Sequence, residues 1–182
     1  MIGFAAMNAD YEDIPGEVER IISMGFHGIK LHADFQKEPI DSRKSYRIYE
    51  AIEGRLPVLH HMGDYRHDYS HPRMLAKVMQ DFPKLRVMAS HLGGFAAWDE
   101  AESVLQSSEN IRFDTSSAVC LMSPERAVRL IRKFGTDRCM FGSDFPMWDV
   151  EHEIRYTLDL KLTDEEYENV FHRTAERVFN LI

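Results

Sequence analysis

Short apolar runs rich in Val, Ile and Leu alternate along this chain with longer stretches whose apolar residues recur at helical spacing. The runs Ile2–Met7, Gly28–His32, Pro57–His61, Arg86–His91, Ile111–Thr115 and Cys139–Ser143 predict six strands. Helical spacing predicts Glu12–Met24, Arg43–Glu53, Pro72–Phe82, Phe95–Gln106, Pro124–Phe134 and Val150–Leu160 between and after them. Ser123 ahead of Pro124 is a start signal, because proline suits the first helical position, and Asp10, His71 and Asp149 precede three other helices. Two further helices, Asp164–His172 and Ala175–Leu181, follow Thr163, whose hydroxyl makes a capping box with Glu166; they are expected to close the base of the domain. Regular alternation of strand and helix implies parallel βαβ units.

The spacing of polar residues at the strand ends sharpens this picture. Lys30 and His61 lie 31 positions apart, His61 and His91 lie 30 apart, and so do Asp114 and Asp144. A unit of that length matches one eighth of a (β/α)8 barrel, which runs to about 250 residues. The expected fold class is therefore α/β, TIM-barrel-like and partial: about six βα units plus C-terminal helices, as a single domain over residues 1–182, with the first two units missing. An open arc of strands leaves two edges and part of its inner face exposed, and pairing into a homo-oligomer is one expected way to cover them.

Composition narrows the class of partner. With 22 Lys and Arg against 30 Asp and Glu, the formal charge is −8, and no basic stripe tracks the chain, so nucleic acid is not an expected partner. The apolar start after Met1 is too short for a signal or a membrane span, so no membrane association is expected either. Only Cys120 and Cys139 are present, outside any CxxC pair, and two free thiols in a cytoplasmic protein are expected. A small-molecule substrate is the expected partner.

In parallel α/β folds the chemistry gathers where strands end and loops begin. Period-two alternation in Gly28-Ile-Lys-Leu-His32 puts Lys30 and His32 on one face and Ile29 and Leu31 on the other. Burying the first pair requires partners, so a polar, substrate-binding pocket stands beside a structural salt bridge as the explanation. His60 and His61 must point to opposite faces; the terminal place of His61, with Gly63 following, makes it the metal-ligand candidate and His60 a residue of the helix layer. His91 ends an apolar strand before Gly93 and Gly94 and is the candidate general base. Asp144 closes the last strand as a candidate metal ligand and proton acceptor, although Asp-x-Pro also makes turns. The Arg112–Ser117 segment and Tyr65, Arg66, Phe95, Trp98 and Trp148 are possible lining.

Four of these segments, Gly28-Ile-Lys-Leu-His32, Pro57-Val-Leu-His-His61-x-Gly63, Ser90-His-Leu-Gly-Gly94 and Gly142-Ser-Asp-Phe-Pro146, together resemble the amidohydrolase-2, or amidohydrolase-related, family over nearly the whole chain. The resemblance implies a distorted TIM barrel holding one divalent metal, usually zinc, and hydrolysis of C–N or C–O bonds by metal-activated water, or non-oxidative decarboxylation in one branch. It further implies His61 as metal ligand, His91 as acid/base and Asp144 as the carboxylate on metal and water. The family's first strand also supplies a His-x-His pair, and this sequence contains none. An inactive fragment or binding module is accordingly a third reading.

Overall fold

The computed structural model describes residues 2–181. Six parallel strands form one sheet in strictly sequential order: β1 (Phe4–Ala6), β2 (Gly28–Leu31), β3 (Val58–His60), β4 (Val87–Ala89), β5 (Ile111–Asp114) and β6 (Cys139–Met140). Between them run α1 (Ile14–Ser23), a single turn α2 (Ala33–Gln36), α3 (Arg43–Ile52), α4 (Pro72–Asp81), α5 (Trp98–Val104) and α6 (Pro124–Phe134). After β6 come α7 (Val150–Leu158), α8 (Asp164–Glu168) and α9 (Thr174–Phe179). Each strand adding beside its predecessor across a helix is the winding of a (β/α) barrel, so this is a partial barrel.

The register sorts side chains into two layers. Lys30 pairs with Leu59, Leu59 with Met88 and Asp114 with Met140, and these residues share a cavity on the inner face. Ile29, Val58, Val87, Ile111, Phe113 and Cys139 are fully buried against the helices. Phe113 stacks on Phe134 of α6, ring centroids 4.0 Å apart. His60 sits in this outer layer as expected: its Nε2 lies 3.0 Å from the Tyr49 hydroxyl, which itself donates to the Ile40 carbonyl at 2.8 Å. The hydroxyl proton being committed, His60 donates from Nε2 and is neutral, burial pushing its pKa down to about 3. Tyr49→Phe removes that acceptor from a fully buried ring, and urea denaturation is expected to show a loss of about 1–3 kcal/mol; an unchanged midpoint would mean His60 finds another partner.

The structure trims the predicted elements. The strand expected to run to His91 ends at Ala89, because His91, Leu92 and Gly93 turn through positive φ values of 61°, 51° and 81°. The last strand stops at Met140, and the helix expected from Phe95 begins at Trp98. Asp13, not Asp10, caps α1, accepting from the Gly16 amide at 3.0 Å. His71 makes no side-chain cap, whereas Ser123, Asp149 and the Thr163–Glu166 box all do. The two terminal helices form one continuous run: residues Asn169–Arg173 widen into a π turn joining α8 to α9, and Thr174, which interrupts the apolar period, is fully buried inside it.

That run also changes the expectation of an uncovered inner face. The Phe141 amide donates to the Val170 carbonyl at 2.7 Å beside β6, while Phe179 meets Phe4 of β1 edge-on at 5.8 Å. Ala175 and Phe179 share the inner cavity with Lys30, Leu59 and Met88, and Arg177 and Val178 line a second cavity with Pro57 and Arg86 at the strands' N-terminal ends. The C-terminal helix thus covers the base, as predicted, and reaches into the lumen as well. Both cysteines are free, and no described helix is long and apolar enough to cross a membrane.

Candidate active site

At the opposite end of the strands, Lys30, His32, His61, His91 and Asp144 line one cleft of about 610 Å³. All five residues predicted from the sequence are therefore brought together. Lys30 enters from the lumen side of β2, His32 caps α2 immediately after β2, and His61 follows β3. His91 begins the left-handed turn after β4, and Asp144 follows β6. His91 (φ 61°), Ser117 (φ 49°) and Asp144 (φ 56°) all hold left-handed backbone, which costs roughly 1–2 kcal/mol for a non-glycine residue and persists only where the surroundings enforce it.

Those surroundings are visible at His91. Its amide donates to Asp114 Oδ1 at 3.0 Å, and its carbonyl accepts from Trp98 Nε1 at 2.8 Å. Its Nδ1 lies 2.8 Å from the Ser116 carbonyl oxygen. A carbonyl only accepts, so His91 carries its proton on Nδ1 and presents Nε2 as a lone pair. Nε2 is 3.0 Å from His61 Nδ1, which must then be the N–H donor. Asp114 gathers the turn by accepting the Ser116 amide and hydroxyl as well. Across the cleft, Asp144 Oδ2 accepts from Ser117 Oγ at 2.7 Å, and Trp148 Nε1 donates to the same Ser117 oxygen at 2.8 Å.

Electrostatics follow from burial. His61 is pushed down to about 2, chiefly by burial and then by the positive charges that His91, His32 and Lys30 can carry, so it is neutral. Burial, then Lys30, also lowers His32. Burial lowers the Lys30 ammonium, with Asp114 and Asp144 opposing the shift. At the mouth, the Arg66 guanidinium holds the Asp64 carboxyl down at about 2.

Several participants carried no local signal in the sequence. Asp34, in the turn α2, has a side chain only 1% exposed, and its Oδ2 lies 3.7 Å from His61 Nε2. Asp34 Oδ1 and His61 Nε2 are buried without a hydrogen-bond partner. His32 stacks on His61 with centroids 4.0 Å apart, and donor atoms of His32, Asp34 and His61 fall within 4.8 Å of one another. The unclaimed His61 nitrogen and Asp34 oxygen are donor types of a zinc- or manganese-type divalent ion, so this pair fits a metal, whereas the His32 Nδ1 lone pair is taken by the Phe35 amide. Of the suggested lining, Arg66, Phe95 and Trp148 are in the cleft wall, together with Phe35 and Phe145; Trp98 instead anchors His91 from behind, and Asp114 serves as its scaffold.

The fold has known relatives in shape. An uncharacterized TIM-barrel protein from Bordetella bronchiseptica superposes with a TM-score of 0.81 at 20% identity over 97% of this chain and 64% of its own. A 5-carboxyvanillate decarboxylase from Novosphingobium aromaticivorans, with bound manganese and a nitrobenzoic acid, gives 0.75 at 19% identity over 98% of this chain and 65% of its own. A putative 2-pyrone-4,6-dicarboxylic acid hydrolase from Pseudomonas putida gives 0.72 at 18% identity over 98% and 71%. The chain thus spans about two thirds of the length of these structures. No curated protein matches the sequence. The family model described as Amidohydrolase (Amidohydro_2) matches residues 1–181, and with the six-unit parallel winding and the strand-end histidines this chain belongs to that family.

Proposed function

We propose that the protein is a metal-dependent hydrolase cleaving a C–N or C–O bond of a small molecule, with His91 as acid/base. The observation that supports this most is the tautomer chain. One ring nitrogen of His91 is tied to the Ser116 carbonyl, so that the other carries the ring's lone pair at the cleft wall, where it accepts from His61 Nδ1. A divalent ion, zinc or manganese, held by His61 and Asp144 would supply Lewis-acid polarisation and lower the pKa of water.

The chain's own residues account for the rest. Once it gives up the hydrogen bond from His61 Nδ1, His91 Nε2 accepts a proton at the reacting centre and returns it to the leaving group, while the Ser116 carbonyl stabilises the doubly protonated ring in between. Ser117, itself fixed by Trp148, holds Asp144 Oδ2 and thereby orients the carboxylate toward the cleft. Lys30 and His32 face the same space as substrate contacts. Phe35, Phe95, Phe145 and Trp148 give it aromatic walls that suit a planar substrate.

A second reading, decarboxylation with His91 protonating the carbon that is left, is favoured by the combination of those walls with Lys30 and Arg66, cations suited to a carboxylate. A panel of aromatic carboxylates, lactones and amides, assayed for CO₂ release and for hydrolysis, separates the two. Turnover is expected to vanish on chelation and return with zinc or manganese. Metal-replete, folded protein inert toward the whole panel would instead support a binding module.

A further inference from the structure

We infer that Asp34 holds a divalent cation together with His61, so that the turn after β2 provides a metal donor facing the one that follows β3. The inference rests on the metal-dependent reading and names a ligand which that reading does not use.

Proton positions make the case. The Ser116 carbonyl takes the His91 Nδ1 proton, His91 Nε2 takes the His61 Nδ1 proton, and His61 Nε2 is left a bare lone pair. That lone pair faces a carboxylate oxygen, Asp34 Oδ2, at 3.7 Å, and both His61 Nε2 and Asp34 Oδ1 are buried without a hydrogen-bond partner. Two acceptors aimed at one another in the interior, one of them anionic, repel unless a positive charge lies between them. The pair is also held in place. The hydroxyl of fully buried Ser70 donates to Asp34 Oδ2 and accepts from the Gly63 amide at 3.1 Å, the kind of outer bond that orients a ligating carboxylate. His32 lies parallel to His61 at 4.0 Å with its Nδ1 accepting from the Phe35 amide, so it packs beside the pair and is not itself a donor. An imidazole nitrogen and a carboxylate oxygen belong to the mixed N/O set of zinc-type sites.

The test uses the full chain, stripped of metal and titrated with Co(II), whose visible d–d bands report coordination by nitrogen and oxygen donors. About one equivalent is expected to bind, and Asp34→Asn is expected to weaken binding by roughly 100-fold or more. Asp34→Cys guards against a variant that fails to fold: titrated with Cd(II), it is expected to develop an ultraviolet thiolate-to-cadmium absorption that the parent lacks. Folded parent that binds no Co(II) overturns the inference, as does Asp34→Asn binding like the parent. An Asp34→Cys chain without the cadmium band overturns it too. Asp144→Asn separates the two proposals. If Asp144→Asn loses Co(II) while Asp34→Asn keeps it, the inference falls and the enzymatic reading stands. Asp34-dependent binding in a protein inert toward the whole substrate panel leaves the inference standing and removes the enzymatic reading.

Discussion

His91→Asn is expected to lower kcat by about 10²–10⁴-fold on whichever substrate the panel identifies, with KM changed far less. Asparagine isolates the chemistry because it tolerates the left-handed backbone that His91 adopts at φ 61°, so the turn survives. The Asp114 and Trp98 bonds reach the His91 main chain, not its ring, and they remain in the variant. What is lost is a ring that joins the Ser116 carbonyl to His61, leaving two polar groups short of a partner. That loss is expected to cost about 1–3 kcal/mol of stability, readable by urea denaturation, which is too little to unfold an ordinary domain. The comparison that matters is therefore kcat against Co(II) affinity and urea midpoint in the same variant. A folded, metal-binding His91→Asn chain that turns over within tenfold of the parent would end the role of His91 as proton carrier.

The contrast between His91 and Asp34 shows where the sequence was legible. Lys30 lines β2, where alternation assigns the face: Lys30 lies on the inner face and Ile29 in the helix layer, as the period requires, while His61, His91 and Asp144 follow apolar strands by one, two and four residues. Helix starts were legible where a cap has a local partner, as at Ser123, Asp149 and Thr163. Asp34 had no such signal. It sits in a four-residue turn, too short to show a period, and its significance comes from Ser70 and His61, 36 and 27 positions away. Ser117 and Trp148 acquire their roles in the same way, by meeting Asp144 and one another across the β5–β6 register. The left-handed turn at His91–Gly93 was hidden because only one of its three residues is glycine. The reach of α9 into the lumen depends on which edge lies open, and that is a property of the assembled sheet rather than of any segment.

Gly63→Ala is expected to destabilise the protein by about 2–4 kcal/mol, or roughly 4–16 °C in Tm for a chain of this size. Two costs add there. Gly63 holds φ at 66°, and a Cβ would lie 2.9–3.0 Å from Gly94 Cα, Gly94 C and Phe95 N. Those are backbone atoms, so no side chain can swing aside to relieve the contact. The loops cannot separate cheaply either, because the Gly63 amide donates to the Ser70 carbonyl at 2.8 Å and the Phe95 amide donates to the Met62 carbonyl at 2.7 Å. Gly25→Ala provides the control: its φ is 77° but nothing lies within 4 Å of the new Cβ, so only the conformational cost of about 1 kcal/mol remains. The difference between the two variants measures the price of bringing the β3 and β4 loops together, and equal losses would show that the loops move apart freely. The same displacement acts on the chemistry, since those loops set His61 3.0 Å from His91. Gly63→Ala should therefore weaken Co(II) binding and slow turnover beyond its effect on Tm, whereas Gly25→Ala should leave both unchanged.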